Sequence, residues 1–62
     1  MTMAIITMAG GISISINNIH SVYVVSLFTK ESTGWIEYNR ALYRTFEHAL
    51  RVARAWARVI EN

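Results

Sequence analysis

The chain has 62 residues, 53% of them hydrophobic and 16% charged, with no Cys, no Pro and a formal net charge of +2. That composition excludes a disulfide scaffold, every thiolate zinc pattern and a disordered chain, since disorder goes with low hydrophobicity and high net charge. All ten charged side chains (Lys30, Glu31, Glu37, Arg40, Arg44, Glu47, Arg51, Arg54, Arg58 and Glu61) fall after residue 29.

The uncharged first half invites a membrane reading. A secretory signal needs a basic segment ahead of its apolar run, and no Lys or Arg precedes Lys30. A spanning helix needs about 20 mostly apolar residues. Here Gly10-Gly11, Ser13, Ser15, Asn17-Asn18 and His20-Ser21 interrupt every run. The expectation is a cytoplasmic protein with no membrane partner.

In chain order, residues 3–9 read as a first strand and residues 12–16 as a second, with Ile12, Ile14 and Ile16 alternating against Ser13 and Ser15. Gly10-Gly11 and Asn17-Asn18 supply the two hairpin turns, because Gly and Asn accept the positive φ that such turns require. Residues 19–29 form a third strand. After the turn signals of Glu31-Ser32-Thr33-Gly34, residues 35–43 form a fourth, bending at Asn39-Arg40. A hairpin closed by Asn17-Asn18 sets Ile16 opposite Ile19, Ile14 opposite Ser21 and Ile12 opposite Tyr23. One face then carries Ile12, Ile14, Ile16, Ile19, Tyr23, Val25 and Leu27. The other carries Ser13, Ser15, His20, Val22, Val24, Ser26 and Phe28.

Residues 46–60 read as a helix. Thr45 is a good N-cap, and Glu47 in the first turn suits the helix dipole. At 100° per residue, Phe46, Ala49, Leu50, Ala53, Trp56, Ala57 and Ile60 share one stripe, with Arg51, Arg54 and Arg58 opposite. Val52, Ala55 and Val59 form a third strip beside the core stripe. The fold class is therefore α+β: an antiparallel meander of three to four strands, followed by one C-terminal helix packed on the sheet, in a single domain spanning 1–62.

A domain this small leaves its stability marginal, and oligomerisation is the support left once disulfides and metal are excluded. Apolar surface beyond what one helix can cover lies at Val22, Val24 and Phe28 on the sheet and at Val52 and Val59 on the helix. A two-fold dimer burying either set is the expectation.

Catalysis is not expected. His20 and His48 are the only histidines, no Ser-His-Asp spacing occurs, and Gly10-Gly11 leads into a strand where a phosphate loop would lead into a helix. No cofactor or metal is implied. The partner-binding candidates are Arg40, Arg44, Arg51, Arg54 and Arg58 with Trp35 and Tyr38, since Arg, Trp and Tyr are the residues that anchor interfaces. The arginine stripe also has two other readings. It is a phosphate-contacting surface in a protein of pI near 9.5, or a solvated face in which Glu47 pairs with Arg51 and Glu61 with Arg58. Trp35 and Tyr38 stand between core and contact surface.

Tyr23-Val24-Val25-Ser26-Leu27, the turn ending Gly34-Trp35, and Thr45-Phe46-Glu47-His48-Ala49-Leu50 with Ala53 resemble the strand–turn–strand–helix of HicB-type antitoxin modules. That resemblance implies a small protein-binding domain with a partial double-stranded-RNA-binding topology. In size, lack of catalytic residues and surplus interaction surface the chain is also similar to small phage-encoded inhibitors of the anti-CRISPR type. This similarity implies a phage or mobile-element protein that blocks a host defence complex by occupying its surface. The functional expectation is thus a non-enzymatic, homodimeric interaction module with a host protein or ribonucleoprotein partner, and the alternative is a small nucleic-acid-binding protein using the Arg-rich helix face.

Overall fold

A computed structural model describes residues 1–61. Four strands, β1 (Thr2–Met8), β2 (Ile12–Ile19), β3 (Val22–Glu31) and β4 (Gly34–Tyr43), precede one helix, α1 (Phe46–Glu61). The strands form one antiparallel sheet in sequence order, so each pairs with the next and no connection crosses over. This is the expected α+β meander with its helix packed on the sheet.

Strand alternation fixes the inner face. Ile6, Ile14 and Leu27 lie abreast on β1, β2 and β3, and Ala4, Ile16, Val25 and Ala41 form the next row across the sheet. The helix meets that face through Ala49 and Ala53, both fully buried. Alanine has no side chain beyond Cβ, so the helix backbone approaches Ile14, Ile16 and Val25 closely, and these are the largest side chains sealed completely. Phe46, Leu50, Trp56, Ala57 and Ile60 pack around this centre as the helical periodicity requires. The Phe46 ring meets Tyr23 edge-on at 6.0 Å. The helix lies over β2, β3 and β4 and barely reaches β1.

Thr45 caps the helix. Its Oγ1 accepts a 3.2 Å hydrogen bond from the His48 N–H, while its carbonyl accepts the first helical bond from Ala49.

The second turn differs from the sequence reading. It falls at His20-Ser21, with φ of 49° and 66°, and not at Asn17-Asn18. Two consecutive positive φ angles define a type I′ turn, which matches the twist of the flanking strands. The displaced turn extends β2 through both asparagines and sets Ile14 opposite Leu27 and Ile16 opposite Val25, where the expected register gave Ile14 only Ser21. Apolar pairing across the ladder outweighs the turn preference of Asn. Asn17 finds other work: its Oδ1 accepts from Thr2 Oγ1 at 2.8 Å and its Nδ2 donates to Ser15 Oγ at 3.3 Å. Because side chains alternate along a continuous strand, Ile19 falls on the outer face, half exposed, instead of in the core.

Two smaller differences follow from local geometry. The first hairpin closes Met8 against Ile12 across the three residues Ala9-Gly10-Gly11. Gly11 has φ of 73°, and a Cβ there would sit 3.1 Å from that of Lys30. In β4 the irregularity is a bulge at Tyr38, with Glu37 opposite Phe28 and Asn39 opposite Leu27, in place of a bend at Asn39-Arg40.

Candidate interaction surface

The sheet's second face has no covering element, because α1 lies wholly on the first. The chain's accessible surface of 4462 Å² is about a tenth above the roughly 4,100 Å² expected of a compact monomer of 7.1 kDa. The chain is a slab 33 × 26 × 15 Å.

Alternation builds this outer face from Thr2, Ile5 and Thr7 on β1, Ser13, Ser15, Asn17 and Ile19 on β2, Val22, Val24, Ser26, Phe28 and Lys30 on β3, and Trp35, Glu37, Arg40 and Leu42 on β4. Ser15 and Ser26 sit directly opposite each other, and both are buried although nothing lies above them. Serine is short, so the taller neighbours stand as walls around a serine floor. Ile5, Phe28 and Trp35 with Ser13 and Ser15 enclose a recess of about 260 Å³. Ile5 and Leu42 are each 62% exposed and Trp35 is 50% exposed. Three charges stand here. Arg40 Nε lies 2.9 Å from Glu37 Oε1, with a second bond from its Nη2 to Oε2 at 3.1 Å, so these two cancel. Lys30, opposite Trp35, leaves the face with one net positive charge. The face is therefore grooved, and its recess is lined by no charged side chain.

The cations collect elsewhere. Arg51, Arg54 and Arg58 project from the outer side of α1 and, with Glu47 and Leu50, line a shallow recess of about 300 Å³. The expected pairs of Glu47 with Arg51 and of Glu61 with Arg58 do not form, and among the described residues the only ion pair is that of Glu37 with Arg40. Exposed intrahelical pairs gain only about 0.3–0.5 kcal/mol, too little to hold two long side chains against solvent.

The sequence-derived candidates thus divide among several places. Trp35 and Arg40 belong to the outer sheet face, and Tyr38 stands at the bulge, 70% exposed. Arg44, at the β4–α1 junction, lines a further recess with Val22, Leu42 and Tyr43. Arg51, Arg54 and Arg58 lie across the sheet from all of these. Val22, Val24 and Phe28 share the outer sheet face, whereas Val52 and Val59 are on the helix, so no single patch contains both sets. Val24 is already covered by its own chain at 7% exposure, while Val59 is 76% exposed. The sequence reading missed Ile5 and Leu42. Both could have been found by carrying the alternation outward from Ser15 and Val24, the residues they pair with.

Elsewhere, His48 is exposed and stacks on Tyr43 at a ring distance of 4.5 Å, and His20 occupies the type I′ turn. Among the described residues, no group of three or more His, Asp or Glu converges as metal ligands, and no helix is long and apolar enough to cross a membrane. Comparison with protein-family models, curated proteins and solved structures finds no match.

Proposed function

We propose that this chain is a non-enzymatic protein-interaction module that works as a homodimer in the cytoplasm and blocks a larger host complex by occupying one of its surfaces. The observation that carries this reading is the outer sheet face, an apolar groove lined by no charged side chain, with Ile5, Phe28 and Trp35 as walls and serines as floor. Water is a poor neighbour for such a surface, and a protein partner with a protruding apolar side chain is a good one. The likeness in make-up to phage-encoded inhibitors of the anti-CRISPR type supports assigning the target to a host defence complex. Affinity capture from a host extract, with and without nuclease, tests the reading. A specific partner protein retained after nuclease treatment is the expected result. Loss of all capture on nuclease treatment contradicts it.

One observation favours a second reading, binding of nucleic acid along α1. Arg51, Arg54 and Arg58 form a stripe free of carboxylate partners among the described residues, and guanidinium groups bind phosphate bidentately. This reading requires affinity that falls steeply with salt as counterions are released. A gel shift at low salt that is absent for an Arg51→Gln, Arg54→Gln, Arg58→Gln variant supports it, and no shift at low salt ends it.

A further inference from the structure

The two edges of the sheet are built differently. The β4 edge carries devices that discourage pairing with another chain: a bulge at Tyr38 breaks its register, and Glu37 and Arg40 bring charge to it. The β1 edge has one irregularity, at its start between Thr2 and Ala4, and no charged side chain. From Ala4 to Met8 its register with β2 is unbroken, and the whole strand Thr-Met-Ala-Ile-Ile-Thr-Met has no charge and no Pro. Alternate residues of an edge strand turn their N–H and C=O groups away from the sheet, so β1 offers a straight, neutral row of unpaired donors and acceptors.

A second shortfall lies at the same place. The helix lies over β2, β3 and β4, and the inner side chains of β1 (Ala4, Ile6 and Met8) are only half covered, while Ile14, Ile16 and Val25 beside them are sealed.

We propose that the β1 edge pairs antiparallel with β1 of a second copy, about a two-fold axis passing through the sheet near Ile5, to give one eight-stranded sheet. This rests on the reading of the chain as a homodimer and names the surface that forms it. A second copy is the occupant the edge fits. Uncharged strands meet with no like charges opposed, the same residues satisfy each other under a two-fold, and the half-covered residues of each copy gain those of the other as neighbours. With the axis through the sheet, both helices lie on one side and both open grooves on the other. The regular part of the edge, Ala4 to Met8, runs about 17 Å, five residues at roughly 3.4 Å each. Across the 15 Å slab, whose full thickness the helix does not carry out to β1, that is at most about 260 Å² per copy, well below the roughly 800 Å² of tight complexes. Ladder hydrogen bonds thus supply much of the attraction, and the dimer is a weak one.

Sedimentation of the whole chain from low to high micromolar concentration tests this, with folding of each variant verified by circular dichroism. The wild type is expected to dimerise with rising concentration. Ile5→Lys and Ile5→Glu, each changing a side chain that is already 62% exposed, are expected to stay monomeric. An equimolar mixture of the two should restore the dimer, because opposite charges then face each other across the axis. Trp35→Lys, on the same face but at the far edge, should leave the dimer intact. A strictly monomeric wild type overturns the homodimer reading and this proposal with it. A wild-type dimer that survives Ile5→Lys, is lost in Trp35→Lys, or is not restored in the mixture overturns the edge assignment alone.

Discussion

The two faces of the sheet are made of similar residues in alternation, yet they have opposite fates. Ile14 and Ile16 point inward and are sealed under Ala49 and Ala53, whereas Ile5, Phe28, Trp35 and Leu42 point outward with no element above them. Ser13, Ser15 and Ser26 alternate with the core residues on β2 and β3, so the same strands that build a tight core also build a groove behind it. The lesson is that apolar content does not tell a core from a binding surface in a chain this small. What separates them is whether the chain has an element left to cover the face, and one helix covers one face.

The sharpest way to break this comparison is to make the same cut on both sides. Ile14→Ala should lower unfolding free energy by about 3 kcal/mol through lost burial and a residual cavity. That is a large share of the roughly 3–9 kcal/mol available to a domain of this length. Ile5→Ala should change it by no more than about 0.5 kcal/mol, as exposed substitutions do. Urea titration of both variants checks the pair. A large loss for Ile5→Ala would mean that the outer face is already structural.

Next in size is the turn that assigns residues to faces. His20 and Ser21 both hold positive φ, a conformation that costs side-chain-bearing residues about 1–2 kcal/mol. Replacing them by Asn and Gly should raise stability by about 1 kcal/mol and leave the register intact, read as a higher midpoint in thermal melting. Loss of the Thr45 cap in Thr45→Ala should cost about 1 kcal/mol, because the His48 N–H loses its partner at the start of the covering helix. Smallest of all, Glu37→Gln should shift stability by less than about 0.5 kcal/mol, since the Glu37–Arg40 pair is an exposed one. Its effect would be on the outer face, which then carries two uncompensated positive charges, Lys30 and Arg40.

The period of two in Ile12–Ile16 and the 3.6-residue period from Phe46 to Ile60 made the meander, the core face and the helix legible before any coordinates. Turn placement was less legible, because Asn17-Asn18 has the better turn chemistry and His20-Ser21 the better cross-strand partners, and the partners win. Ile16 opposite Val25 and Ile14 opposite Leu27 decide in favour of His20-Ser21. Of the open face, Trp35 and Phe28 are singled out from the sequence. The groove could not be read from it, because its walls come from β1, β3 and β4, which the chain brings together only through register. Nor could the separation of Arg40 from Arg51, Arg54 and Arg58, since side chains of the same type share a face only once the helix has been placed.

Partner capture by variants tests the central claim that the open groove is the docking surface. Trp35→Ser and the combined Arg51→Gln, Arg54→Gln, Arg58→Gln variant, both verified as folded, would be compared with wild type in nuclease-treated host extract. The account predicts that Trp35→Ser loses the partner protein that wild type retains, while the arginine variant keeps it. Capture that survives Trp35→Ser and disappears with the arginines would contradict the account and move the function to the helix.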